Sequence, residues 1–199
     1  MRELFDVVSA TLAETSATTR PVSLVSIELD RLQALQSALG PSGADEVCEQ
    51  IARMLQRILR TGDFVQRVSD GELVVMLLGA GAKDARFVAS RIGAAVRGHE
   101  FGATDAGRPA NGAPRVTVSV GVAAAPDHGD DAETLVSAAR RAKAGISQRG
   151  GDGVGIASDS DAAASAFWSP RSATPRSRWA TQAWGSSCRT LRRAFSAPA

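Results

Sequence analysis

The sequence predicts an α/β domain, helices flanking a central sheet of about five strands, followed by a basic tail. Three stretches carry that reading. Residues 64–68 and 73–78 are runs rich in Val, Leu and Phe around a polar knot, Ser69-Asp70-Gly71-Glu72. An Asp-Gly pair between such runs signals a β-hairpin, because the tight turn needs the positive φ that Gly, and less readily Asp, tolerates. Val116-Thr117-Val118-Ser119-Val120-Gly121-Val122 alternates as a half-buried strand does. Residues 44–60 place Val47, Ile51, Met54/Leu55 and Ile58/Leu59 at helical spacing, which gives one buried stripe.

The remaining elements follow in order. Leu4, Val7, Val8 and Leu12 share a face of a first helix over 3–16. Residues 22–29 form a strand with Val25, Ile27 and Leu29 on one face and Leu24, Ser26 and Glu28 on the other. Glu28 and Asp30 then stand at its carboxyl end, a common place for ligand groups in α/β sheets. It is equally a place for a helix cap, with Asp30 capping a helix over 31–39. Gly40-Pro41-Ser42-Gly43 stops that helix, and Gly62 stops the next. After a loop at 79–83, Ala85, Val88, Ile92 and Val96 line a helix over 84–97. Residues 98–114 are polar and rich in Gly and Pro, an exposed connection. A loop at 126–131 leads to a last helix over 132–148, with Leu135, Val136, Ala139, Ala142 and Ile146 inward. Gly150-Gly151-Asp152-Gly153 turns the chain into a short strand over 154–157.

The 199 residues suffice for one domain, here 1–157, and a tail, 158–199. No apolar run approaches the roughly 20 residues that span a bilayer. The opening residues, with Glu3 and Asp6, lack the basic flank and apolar core of a secretory signal. Cys48 and Cys188 form no disulfide framework or metal-ligand spacing, Cys48 falling on an apolar helical stripe. A cytoplasmic location is the expectation. The net charge of +2 conceals an asymmetry: residues 1–161 hold 17 basic and 21 acidic side chains, and six arginines follow without an acid. All three tryptophans, 168, 179 and 184, lie in the tail, which reads as largely disordered. Arginines among tryptophans suit nucleic acid or an anionic membrane surface; a solvated extension without function is the alternative. The hairpin tip is open in the same way, either a metal or phosphate site or an ordinary charged turn.

Taken together, the segments resemble the GGDEF family, the diguanylate cyclases, over about residues 4–157. Residues 21–32, through Glu28-Leu29-Asp30, are similar to that family's first strand and its acidic end. Gly40 with Asp45-Glu46-Val47 matches a helix start, and Arg60-Thr61-Gly62-Asp63-Phe64-Val65-Gln66-Arg67 its RxxDxxxR lead-in. Residues 116–123 resemble its VTVSIGVA strand, and Gly150-Gly151-Asp152-Gly153-Val154 its exit from the last helix. The resemblance implies a palm-like α+β fold related to ferredoxins, with a mainly antiparallel sheet, and the synthesis of cyclic di-GMP from two GTP.

The signature pentapeptide aligns with Ser69-Asp70-Gly71-Glu72-Leu73. In the family, two glycines open it so that backbone approaches phosphates; Ser69 and Asp70 crowd that approach, and Asp70 adds negative charge. The acid that holds the catalytic metals is Gly71, while Glu72 is retained and Glu28 matches the other metal-binding acid. Gln36 and Asp45 correspond to the residues that read guanine. The phosphate-contacting Lys corresponds to Ser147, with Lys143 one turn earlier. In-line attack on an α-phosphorus needs metal ions to neutralise developing charge, so Mg²⁺ is the cofactor implied if GTP binds. No catalytic residue is therefore expected. Arg60 and Asp63 match the family's inhibitory site for cyclic di-GMP, where Arg forks to phosphate and guanine edges; helix-end and turn-capping roles account for both equally. Three readings follow: a catalytically degenerate domain acting as a cyclic di-GMP receptor or regulatory module, a nucleotide-independent scaffold that docks a protein or dimerises, and a weak cyclase.

Overall fold

The structure is a computed structural model and describes residues 2–16, 20–101 and 115–158. The expected tail from 159 onward and residues 102–114 of the connection lie outside the described residues. Among the described residues nine elements follow in the order α1 (Arg2–Ser16), β1 (Val22–Leu29), α2 (Leu32–Ile58), β2 (Phe64–Ser69), β3 (Glu72–Leu78), α3 (Ala82–Arg97), β4 (Val118–Ala125), α4 (Ala132–Gln148) and β5 (Gly153–Ile156). The strands form one sheet in the order β2-β3-β1-β4-β5. Its pairings are antiparallel except β4 with β5, so the sheet is mainly antiparallel, as expected.

Strand alternation divides the core into two layers. Val22, Leu24, Val74, Met76, Ala123 and Ala125 face one way and pack with Leu4, Val8 and Leu12 of α1 and Leu135, Val136 and Ala139 of α4. Val25, Ile27, Val75, Leu77, Val120 and Val122 are buried on the opposite face, where α3 packs on β4, β1 and β5. Fully burying a Leu such as Leu135 contributes about 1.5–3 kcal/mol. With helices over both faces, β4 is buried throughout rather than half-buried, and it starts two residues later than the alternation suggested.

Other local expectations change for physical reasons. α2 is helical on both sides of Gly40, whose φ of +75° breaks it, and Pro41 re-enters the helix directly, as suits a residue lacking an N–H at a helix start. Asp30 does not cap this helix; the cap is Arg31 in a left-handed conformation, with no side-chain bond. The connection after α3 is not wholly exposed, because Phe101 is fully buried, edge-on to His99. No helix among the described residues is long and apolar enough to cross a membrane.

Candidate functional site

The sheet's antiparallel register brings the two matched acids together. Glu28 on β1 and Glu72 on β3 are direct cross-strand partners, on the face that α4 covers. Like charges in that relation repel, and α4 supplies the counter-charges. Arg140 grips Glu72 with a fork, Nε to Oε1 at 3.0 Å and Nη2 to Oε2 at 2.8 Å. Lys143, one turn on, donates from Nζ to Glu72 Oε1 at 3.0 Å and lies 3.4 Å from Glu28 Oε2. The hydroxyls of Ser26 and Ser69 lie at 3.4 and 3.5 Å from the same carboxylate. Burial pushes the Glu72 carboxyl up, but Lys143 and Arg140 together outweigh it and hold the carboxyl below its ordinary range.

Two glycines let α4 approach closely enough for this. Gly121 and Gly155 are register partners on β4 and β5. A β-carbon on Gly121 would fall 2.0 Å from the Ala139 carbonyl oxygen and 2.3 Å from the Lys143 nitrogen; one on Gly155 would fall 2.7 Å from the Ala142 carbonyl oxygen. The helix backbone thus rests on the sheet backbone, and Lys143 is carried to its acids.

The hairpin tip is shaped by one residue. Gly71 alone takes positive φ, +76°, while Asp70 does not, and a register shift between Arg67 and Ser69 adds a bulge. The Gly71 carbonyl accepts from Leu29 N–H at 2.9 Å. A β-carbon at Gly71 would meet Leu32 Cδ2 at 2.9 Å, a side-chain tip that can shift, and it is the positive φ that strains any side chain at the position of the family's acid. Asp70 is exposed and turned to Arg67, 3.4 Å away. Leu73 is fully buried.

The residues matched to guanine recognition lie on α2. Gln36 is half-buried on its first segment. Asp45 on its second segment accepts from Arg67 Nη2 at 2.6 Å, tying the helix to the hairpin. Arg60 and Asp63 form a separate turn before β2. Arg60 is exposed. Asp63 Oδ2 accepts from the Arg60 N–H at 3.0 Å, and Oδ1 lies 3.4 Å from the Leu78 nitrogen. Asp30 is an internal joint: it accepts from Thr117 Oγ1 at 2.7 Å, Ser119 Oγ at 2.6 Å and the Asp152 N–H at 2.8 Å, fastening β1 to β4 and to the turn before β5.

Arg140 is the residue that sequence reasoning missed. Its signal was the i, i+3 spacing with Lys143 on a helix whose small residues Ala138, Ala139 and Ala142 mark the sheet-facing side. The metal that the family implies does not fit these residues. Gly71 brings no carboxylate, Glu72 is engaged by two cations, and Glu28 shares one of them. Among the described residues, no group of three or more His, Cys, Asp or Glu could hold a metal ion.

A mainly antiparallel sheet ordered β2-β3-β1-β4-β5 with an acidic hairpin beside its central strand defines a palm-like α/β domain. The family model "Diguanylate cyclase, GGDEF domain" matches residues 2–152, and the chain belongs to that family. The response regulator PleD of Caulobacter vibrioides is 31% identical over 128 residues, covering 64% of this chain and 27% of PleD. The chain spans less than a third of the length of the curated relatives it matches. Among solved structures, the active GGEEF domain of a diguanylate cyclase from Vibrio cholerae superposes with a TM-score of 0.70 at 20% identity, covering 79% of this chain and 96% of that one. The GGDEF domain of DgcB from Caulobacter crescentus, solved in complex with c-di-GMP, gives 0.68 at 18% identity, covering 76% and 86%.

Proposed function

We propose that this GGDEF domain does not cyclise GTP and acts as a regulatory module in cyclic di-GMP signalling. The observation that carries the first half is the engagement of Glu72 by Arg140 and Lys143. A carboxylate whose oxygens are held by a fork and an ammonium is withdrawn from metal-assisted phosphoryl transfer, and Gly71 supplies no second acid at the tip. Loss of a single electrostatic stabiliser already costs about 3–4 kcal/mol of barrier lowering. Asp45, paired with Arg67, is likewise committed within the chain.

The second half assigns Arg60 and Asp63 as the contacts for cyclic di-GMP. Its support is the exposed Arg60 guanidinium beside a carboxylate held in place by backbone N–H groups, together with the c-di-GMP complex of the related DgcB domain. Asp63 keeps lone pairs for a guanine N–H, and Arg60 offers a phosphate fork. The use of both Asp63 oxygens in capping its own turn favours a second reading, a nucleotide-independent scaffold for a protein partner or a second copy. Calorimetric titration of the full chain with cyclic di-GMP separates the two. Saturable binding that Arg60→Ala abolishes supports the receptor; no heat of binding leaves the scaffold.

A further inference from the structure

We infer that Lys143 and Arg140 serve as built-in cations, replacing a divalent metal as the counter-charge of the Glu28–Glu72 pair and excluding that metal from the site. The inference deepens the non-cyclising reading and is independent of whether cyclic di-GMP binds at Arg60.

Glu28 and Glu72 face each other across β1 and β3, an arrangement that attracts a hard cation to two carboxylates. Lys143 is buried, with its side chain 9% exposed, and its Nζ lies within 3.4 Å of an oxygen from each acid. It therefore stands between the two acids, where a bridging cation would stand. Arg140 occupies both oxygens of Glu72. Two acids and two bases leave the cluster neutral, so a divalent ion entering it would face two fixed positive charges and would have to break the Arg140 fork. The placement is structural rather than incidental. The close approach at Gly121 fixes the Lys143 backbone, and Lys143 has little solvent into which to retreat.

Removing the two cations should uncover the acids as a metal site. The test uses the full chain, Mn²⁺ as the probe, the free-ion paramagnetic resonance signal as readout, and thermal unfolding with and without MnCl₂. The unmodified chain is expected to leave the free Mn²⁺ signal unchanged and its unfolding temperature unmoved. The Arg140→Gln/Lys143→Met variant is expected to take up about one Mn²⁺ per chain, as two carboxylates with amide and water ligands allow, and to unfold at higher temperature in its presence. Adding Glu72→Gln to that variant should abolish the uptake. Stoichiometric uptake by the unmodified chain that Glu72→Gln removes would overturn the inference, whatever the variant does. So would a variant that keeps the native circular dichroism spectrum and takes up no Mn²⁺. If the double variant does not fold, Lys143→Met alone is read in the same way, with weaker but Glu72-dependent uptake expected. The readout is metal binding, so failure here is separable from failure of the cyclic di-GMP titration or of the turnover assay.

Discussion

Lys143 Nζ lies 3.0 Å from Glu72 Oε1, with the two side chains only 9% and 12% exposed. The pair joins α4 to the hairpin strand β3 at the end of the sheet that carries Glu28. A buried ion pair gains little over an apolar pair of the same shape, but removal of one partner leaves a charge stranded. Lys143→Met is therefore expected to destabilise the domain by about 1–3 kcal/mol, moderated by the remaining Arg140 fork. Urea unfolding measures it. In a double-mutant cycle with Glu72→Gln, the two losses should be less than additive, because each removes the same contact.

The same cluster sets a pH dependence. The folded Glu72 carboxyl lies below its ordinary value of 4.5. A depressed folded value gives stability that is fully present above the unfolded value and is lost as pH falls through the folded one. Stability measured by urea titration should fall below about pH 4.5. Glu72→Gln should be less stable at neutral pH and flatter across the acid range. An unchanged acid slope in that variant would remove Glu72 from the account.

Gly121→Ala tests how α4 is seated. The new methyl would lie within 2.3 Å of the Lys143 nitrogen and closer still to the Ala139 carbonyl oxygen, and both contacts are backbone, which cannot rotate aside. Overpacking of this kind costs 1–3 kcal/mol or more, and about 3 kcal/mol is expected. A thermal shift measures the loss; an unperturbed variant would show that α4 does not rest on β4.

Asp30→Ala should loosen the last strand selectively. It removes the acceptor of two part-buried hydroxyl bonds and of the exposed Asp152 N–H, at about 1–3 kcal/mol for the loss of hydrogen bonds to a charged group. Hydrogen exchange should rise first at residues 152–156. The nearby Arg97–Asp152 pair is solvent-exposed on both sides, so Arg97→Ala should change stability by less than about 1 kcal/mol.

Much of this fold is local and so legible in the sequence. Leu4, Val8 and Leu12 mark α1 by spacing alone, and the Asp-Gly knot marks the hairpin. Where the reading missed, a distant partner decided the outcome. Asp30 reads as a cap because caps are local, yet its partners lie 87, 89 and 122 residues away. Phe101 sits in a polar stretch whose composition says exposed, but the core takes it in. The site divides in the same way. Motif spacing marks Glu28, Glu72 and Asp45, whereas of the two cations it places only Lys143, one turn before Ser147, and leaves Arg140 unmarked. Their burial depends on Gly121 and Gly155, whose closeness to α4 no helical period reveals.

The most direct test of the account is turnover. The full chain is incubated with GTP and Mg²⁺, and separately with Mn²⁺, and the nucleotides are separated by chromatography. The closed Glu72–Arg140–Lys143 cluster predicts that GTP is recovered and no cyclic di-GMP accumulates above the enzyme-free blank. Cyclic di-GMP formed by the unmodified chain and lost in Glu72→Gln would contradict it, because Glu72 would then be serving the chemistry from which its two cations are said to withdraw it.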